Sequence, residues 1–265
     1  GSNHGGQQHE GIDLTSSNSN TIIANSITGC AEYGIHLTGS DSNTISNNVI
    51  TNNDDDGIFF DSAKHTQLFN NTITGNDDYQ VRLSALSSNN TLIGNINDVS
   101  VCSTCELIVK NYLTIQVKLS DDLINGSDIQ VTDNDDVLYA TSYYNGSDAK
   151  TVNGTIRMLL ITDRIYDGSS TATENITELK VKYGNYSKTI NVSMSTSHTE
   201  VVQLNLIPTG AITSITPQIT YYSDTVTFNG TGSDSDGNIT AYEWKSSLDG
   251  VISTSANFTI SNLSI

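Results

Sequence analysis

Asp13, His36, Phe59 and Arg82 lie 23 residues apart, and Thr15, Thr38, Asp61 and Ser84 follow each of them by two positions. If a fold stacks these positions, Asp13 and His36 make an acid/base pair and Arg82 can grip a carboxylate. Asp61 is the remaining carboxylate of that set. Two Asp-rich turns, one holding Asp54, Asp55 and Asp56 and the other Asp234 and Asp236, offer oxygen ligands suited to calcium. Neither has the loop of a helix-loop-helix calcium site. His4, His9, His36, His65 and His198 show no metal-ligand spacing, so copper is not expected.

These residues ride on a repeat. Gly11-Ile12-Asp13-Leu14 returns as Gly34-Ile35-His36-Leu37, Gly57-Ile58-Phe59-Phe60 and, weakened, Gln80-Val81-Arg82-Leu83. A second phrase, Asn20-Thr21-Ile22 with Asn25 and Ile27, returns as Asn43-Thr44-Ile45 with Asn48 and Ile50, then as Leu68, Asn71 and Ile73. Such self-similarity means a solenoid whose units bury their apolar sides against one another. Apolar residues at i and i+2 select strands, and the Asn, Asp, Ser and Gly between them select turns. Ile22, Ile45, Leu68 and Leu92 should stack inside, as should Ile27, Ile50 and Ile73, with Asn25, Asn48, Asn71 and Asn95 forming an amide ladder. After Leu92 the register slips, which predicts an end near residue 100. The first phrase is in phase at Gly11 without a cap, so the chain is expected to be part of a longer polypeptide.

The pattern "NTIxxNxIxxxxxxGIxL" resembles the right-handed parallel β-helix repeats of NosD-like surface proteins and of several carbohydrate-active enzymes. By that resemblance the outward face is where a polysaccharide enzyme would work, with Arg82 on a sugar carboxylate. The paired-Asp and Gly-His-Gly signatures of polygalacturonase-like enzymes are absent. Glu32-Tyr33-Gly34-Ile35-His36 shares only part of the Tyr-Gly-x-Asp-Pro-His motif of alginate epimerases. Any solenoid must fill its outward positions with polar groups, so the solvated-face reading outweighs the catalytic one.

Beyond Glu106 longer alternating strands are expected at 112–118, 128–132, 137–141, 155–161, 178–183, 188–193 and 201–206, the pattern of an antiparallel β-sandwich. The stretch 113–139 resembles the carboxypeptidase-regulatory-like, transthyretin-type domains of extracellular proteins, which act as spacers or interaction modules. Residues 225–244, with a Gly-Ser-x-Asp-x-Asp-Gly turn before Tyr242-Glu243-Trp244, resemble the polycystic kidney disease (PKD) domain. That resemblance makes Trp244 a core anchor and Tyr242 its neighbour, in a domain expected to be incomplete. The expected fold is thus all-β: a short right-handed parallel β-helix over 1–106, a sandwich over 107–207 and an Ig-like sandwich over 208–265.

The chain carries 11 Lys plus Arg against 29 Asp plus Glu, a formal charge of −18. Such a surface repels nucleic acid. No apolar run is long enough to span a membrane. Sequons at Asn70, Asn89, Asn125, Asn145, Asn153, Asn175, Asn185, Asn191, Asn229, Asn238, Asn257 and Asn262 suggest an exported glycoprotein. Cys102 and Cys105 suit a small structural disulfide better than zinc or redox chemistry.

The combination of modules looks archaeal and extracellular. The reading is a structural cell-surface glycoprotein: a subunit of an array, sheath or filament, or a stalked adhesin. No catalytic residue and no cofactor are assigned, calcium excepted. Its expected partners are copies of itself or other surface-layer subunits, N-linked glycans and extracellular polysaccharide. The runner-up readings are a polysaccharide lyase, hydrolase or epimerase using Asp13, His36, Arg82 and Asp61, and a glycan-binding module without catalysis.

Overall fold

The structure is a computed structural model that describes residues 9–219, 221, 223–261 and 263–264. His4 and Asn262 lie outside them. The repeat forms coils of three short strands. The first coil carries β1 (Ile12–Thr15), β2 (Thr21–Ile23) and β3 (Ser26–Thr28); the second β4 (Ile35–Thr38), β5 (Thr44–Ser46) and β6 (Val49–Thr51). The third carries β7 (Ile58–Asp61), β8 (Gln67–Phe69) and β9 (Thr72–Thr74). A fourth, shortened coil holds β10 (Val81–Ser84) and β11 (Asn90–Ile93), followed by β12 (Val99–Val101) and β13 (Glu106–Leu119).

Equivalent strands stack in parallel, giving one face of order β1-β4-β7-β10-β12, a second that runs β2-β5-β8-β11-β13, and a third of β3-β6-β9. The fold is therefore all-β, with a parallel β-helix at its start. Inside it, Ile35, Leu37, Ile45, Ile50, Ile58 and Phe60 are wholly buried, and the expected columns of Ile22, Ile45, Leu68 and Leu92 and of Ile27, Ile50 and Ile73 face inward.

The glycine that opens each of the first three repeats has a steric cause, and Gln80 takes its place in the fourth. A Cβ on Gly34 would sit 2.6 Å from the carbonyl oxygen of Gly57, and one on Gly11 2.6 Å from that of Gly34. At these rungs a side chain would collide with the next coil's backbone, and its absence lets the coils close to rung spacing.

Each corner also carries a column of amides. In the expected ladder Asn25 Nδ2 donates to Asn48 Oδ1 at 3.0 Å and Asn48 Nδ2 to Asn71 Oδ1 at 3.0 Å. Asn20 Nδ2 donates to Asn43 Oδ1 and Asn53 Nδ2 to Asn76 Oδ1 at the other corners. Asn95 does not extend the ladder. After β11 the chain turns at Gly94, whose N–H donates to Lys110 O, and crosses directly to β12 without a third-face strand. The expected end near residue 100 also moves: Asn90–Ile93 pairs in parallel with Leu107–Lys110, so β13 supplies a further rung. A disulfide joins Cys102 to Cys105 in the turn before β13.

β13 then leaves the coil without a break. Its inward residues alternate along the whole strand, Leu107 and Val109 lying in the β-helix core and Leu113, Ile115 and Val117 in the next core. Between them Asn111 is buried, with Nδ2 donating to Met194 O at 2.7 Å and Oδ1 accepting from Ser197 Oγ.

The second core lies between two sheets. After β14 (Asp122–Leu123) come β15 (Asp128–Asp133), β16 (Asp136–Ala140), β17 (Thr155–Asp167), β18 (Thr173–Glu174), β19 (Thr177–Tyr183), β20 (Tyr186–Val192) and β21 (His198–Leu204). One sheet has β13 flanked by β17 and β21; the other runs β16-β15-β19-β20. Strands occur at all the positions expected from alternation, and β13 and β17 run further toward the β-helix than alternation implied. The sandwich is not wholly antiparallel as expected, because the chain crosses through the second sheet before β21 returns to pair with β13 in parallel, Leu113 opposite His198.

The remaining elements are β22 (Thr209–Thr216), β23 (Val226–Ser233), β24 (Trp244–Ser246), β25 (Gly250–Ser253) and β26 (Asn257–Ile260), arranged as a sheet β22-β23-β26 and a hairpin β24-β25. Trp244 packs edge-on against Phe228 and Phe258, at 5.7 and 5.4 Å between ring centroids.

Candidate functional site

Strand register builds the outward column as expected: Asp13 faces His36, His36 faces Phe59 and Phe59 faces Arg82. Its side chains are spent largely on one another. His36 stacks on Phe59 with centroids 5.2 Å apart and planes 9° from parallel, and the Arg82 guanidinium covers Phe59 at 5.2 Å. Tyr33, absent from the sequence-based set, leans on both rings at 5.0 and 4.8 Å. The broad faces of Phe59, which a sugar ring would need for stacking, are thus occupied from within the protein.

His36 Nδ1 lies 3.7 Å from Asp13 Oδ1, and its Nε2 lies 3.0 Å from Thr38 Oγ1. Asp, His and Thr therefore follow the order of a nucleophilic triad. Two features oppose that use. The Asp–His distance exceeds a hydrogen bond, and the adjacent Gly39 N–H, a natural oxyanion donor, is committed to Asp61 O at 2.8 Å. Arg82 sits two rungs from His36, roughly 10 Å along the axis. Asp61 stands in the neighbouring column between Thr38 and Ser84, accepting from Ser62 Oγ. The four residues share a face; the register does not gather them around one point.

Arg82 leans instead toward the corner before the face, with Nη1 3.6 Å from Asp56 Oδ2 and 3.8 Å from Asp78 Oδ2. Asp55, Asp56 and Asp78 bring their carboxylate oxygens within 4.8 Å of one another, the only such metal-competent group among the described residues. Asp54 is not in the group, and Asp78 takes its place. Asp78 is readable from the period, because Glu32, Asp55 and Asp78 are spaced by 23 residues. Tyr79 N donates to Asp56 Oδ1 at 3.1 Å, while Asp56 Oδ2 is buried without a hydrogen bond.

Burial, partly offset by the Tyr79 N–H, raises the Asp56 carboxyl to about 6, and burial followed by the charge of Asp78 raises that of Asp55. The linkage sign follows from the raised value. Between about pH 4 and 6 the folded chain holds a proton that the unfolded chain releases, so this residue's contribution becomes less favourable as pH rises and is fully unfavourable above 6. A carbon-13 titration of the Asp56 carboxyl should give a midpoint near 6. The melting temperature of Asp56→Asn relative to the native chain should rise across the same window; a flat difference would contradict the burial argument.

The second Asp-rich turn has a structural use. Asp236 Oδ2 accepts from Leu206 N at 2.8 Å and Asp236 N donates to Asp234 Oδ1, tying the turn to the segment entering β22. Of the sequon asparagines, Asn70, Asn89, Asn125, Asn145, Asn153, Asn185, Asn191, Asn238 and Asn257 are exposed. Asn175 and Asn229 are half-buried, and their amide nitrogens are donated to Asp133 and to Ser214.

No helix among the described residues is long and apolar enough to cross a membrane. Residues 2–101 match the family model described as periplasmic copper-binding protein (NosD). No curated protein matches the chain, and no solved structure does. Among the described residues the donor set does not fit copper, which favours imidazole and sulfur ligands. His9 pairs with Glu32, His36 stacks on Phe59, and His198 contacts Glu200 and Thr196 O, each on a different element. The free thiol, Cys30, is buried, and burial together with Asp54 raises its pKa.

Proposed function

We propose that this chain is a structural module of an exported surface glycoprotein: a stiff acidic segment of an extracellular array, sheath or filament, or of a stalked adhesin. The observation that carries this reading is β13, one strand whose buried face belongs to the β-helix core at Leu107 and Val109 and to the sandwich core at Leu113, Ile115 and Val117. A shared strand gives the two modules no linker to bend, which suits a load-bearing spacer better than a mobile appendage. The match to a family described as periplasmic supports export. Exposed sequons on turns, among them Asn89, Asn145 and Asn153, are placed to carry glycans. The partners of this reading are further copies of the chain or other surface subunits, joined through strand edges and module contacts.

We assign catalysis to none of Asp13, His36, Arg82 and Asp61, because Asp13 stands 3.7 Å from His36, Arg82 turns away to Asp56 and Asp78, and Asp61 belongs to the neighbouring column. Two measurements test the proposal together. Electron microscopy of the purified glycosylated chain should show straight particles that associate in order as concentration rises. A panel of acidic and neutral polysaccharides should remain uncut. Cleavage that is lost in the His36→Ala, Arg82→Ala double variant would hand the face to the polysaccharide-enzyme reading, and particles that stay single at every concentration would defeat the assembly role.

A further inference from the structure

We infer that Asp55, Asp56 and Asp78 form a binding site for a divalent cation of calcium's class, at the corner where the third face of the β-helix turns into the first. The site is independent of the assembly reading. Its parts come from two coils. Asp55 and Asp78 occupy the same position one repeat apart, and the ladder holds them in step, with Asp55 N donating to Glu32 O and Asp78 N to Asp55 O. Asp56 reaches the same point from the buried side of the corner.

Three observations support an ion. Oxygens that share one calcium, each at about 2.3–2.6 Å from it, lie up to roughly 5 Å apart, and these carboxylates supply oxygens all within 4.8 Å. Asp56 Oδ2 points into the cluster from a side chain with no solvent exposure and has no hydrogen bond. Arg82 Nη1, at 3.6 Å, lies beyond hydrogen-bonding distance and is its charged neighbour. Finally, three carboxylates, with Glu32 as a further anionic neighbour of Asp55, outnumber the single guanidinium, and the excess is costliest at the fully buried Asp56. A divalent ion offsets that excess. The ligands are all hard oxygens, which selects calcium-like ions and disfavours copper.

The whole chain, stripped with a chelator, provides the test. Terbium, the luminescent stand-in for calcium, should light up through the neighbouring Tyr33 and Tyr79 and be displaced by calcium. Calorimetry should give one saturable calcium site, with dissociation in the range of about 10⁻⁴–10⁻³ M typical of extracellular modules. Asp78→Asn, at an exposed position, should weaken binding at least tenfold with the circular-dichroism spectrum unchanged. Asp55→Asn should do the same and serves as the second variant. Asp236→Asn should leave affinity unaltered. Absence of saturable binding up to about 10 mM calcium, ten times the weak end of that range, would overturn the site. So would affinity indifferent to both corner variants, or affinity lost through Asp236→Asn instead.

Discussion

Phe60→Ala is expected to unfold the β-helix more readily than any other single truncation, with a loss of about 3–5 kcal/mol. Phe60 is wholly buried and belongs to an inward column in which Leu14, Leu37 and Leu83 are its equivalents on the other coils. In a globular core, neighbours can sink partway into the space a lost ring leaves. Here the rungs above and below are held at their spacing by backbone ladders, so the hole stays open and its full cost is felt. Because a solenoid is stabilised by contacts between adjacent repeats, the second and fourth coils lose their partner as well. Phe60→Leu, which restores the residue the column carries elsewhere, should recover most of the loss. Hydrogen exchange separates this transition from unfolding of the sandwich: amides of β4, β7 and β10 should lose protection while those of β15 and β19 keep theirs. A loss below about 1 kcal/mol would mean that the coils relax around the gap, against the rigid-rung picture.

The same rigidity explains what could be read from the chain in advance. Inward positions and the Asn25, Asn48 and Asn71 ladder repeat because each must meet its own copy at rung spacing, and that constraint writes itself into the sequence at a fixed period. Gly11, Gly34 and Gly57 repeat for the same reason, with a carbonyl oxygen where a Cβ would lie. Where the chain drops part of a coil, the period no longer marks the fold. Val81 pairs with Val99 and Asn90 with Leu107, offsets shorter than a full repeat, so in sequence the last rung looks like part of the next module. Asn95 kept a ladder residue's identity after the backbone had turned away from the ladder.

The candidate sites divide along similar lines. The Asp13, His36, Phe59 and Arg82 column was legible, since register alone places it. The direction in which Arg82 leans was not, because its contact with Asp56 runs back to the preceding coil through a flexible side chain and follows no repeat. Asp78 lies within reach of the period, following Glu32 and Asp55 at 23-residue steps, whereas a run of consecutive Asp residues points to Asp54 instead. Shape at a solenoid corner gathers residues a repeat apart, and adjacency in sequence is a poor guide to it.

Asn48→Asp should prove nearly as damaging as the loss of Phe60, and its pH dependence would reveal how the ladder works. Asn48 is buried and uses both ends of its amide. Oδ1 accepts from Asn25 N and from Asn25 Nδ2, at 2.9 and 3.0 Å, and Nδ2 donates to Ile22 O and to Asn71 Oδ1, each at 3.0 Å. A carboxylate keeps the accepting half and turns the donating half into a second oxygen aimed at two acceptors. With its charge buried, the variant should lose about 3 kcal/mol or more at neutral pH. Its own folded-state pKa must be raised, since protonation restores one donor. Stability should therefore recover as pH falls through that raised value and be lost again as pH rises. Asn48→Ala, which cannot titrate, should show no such recovery. Asn25→Asp, on an exposed rung where water can serve as the missing partner, should cost far less. Equal, pH-independent losses at positions 25 and 48 would show that the amides merely fill space. The expected contrast would show that they act as a directional chain, each rung donating to the next, so that the middle of the β-helix is its most firmly specified part.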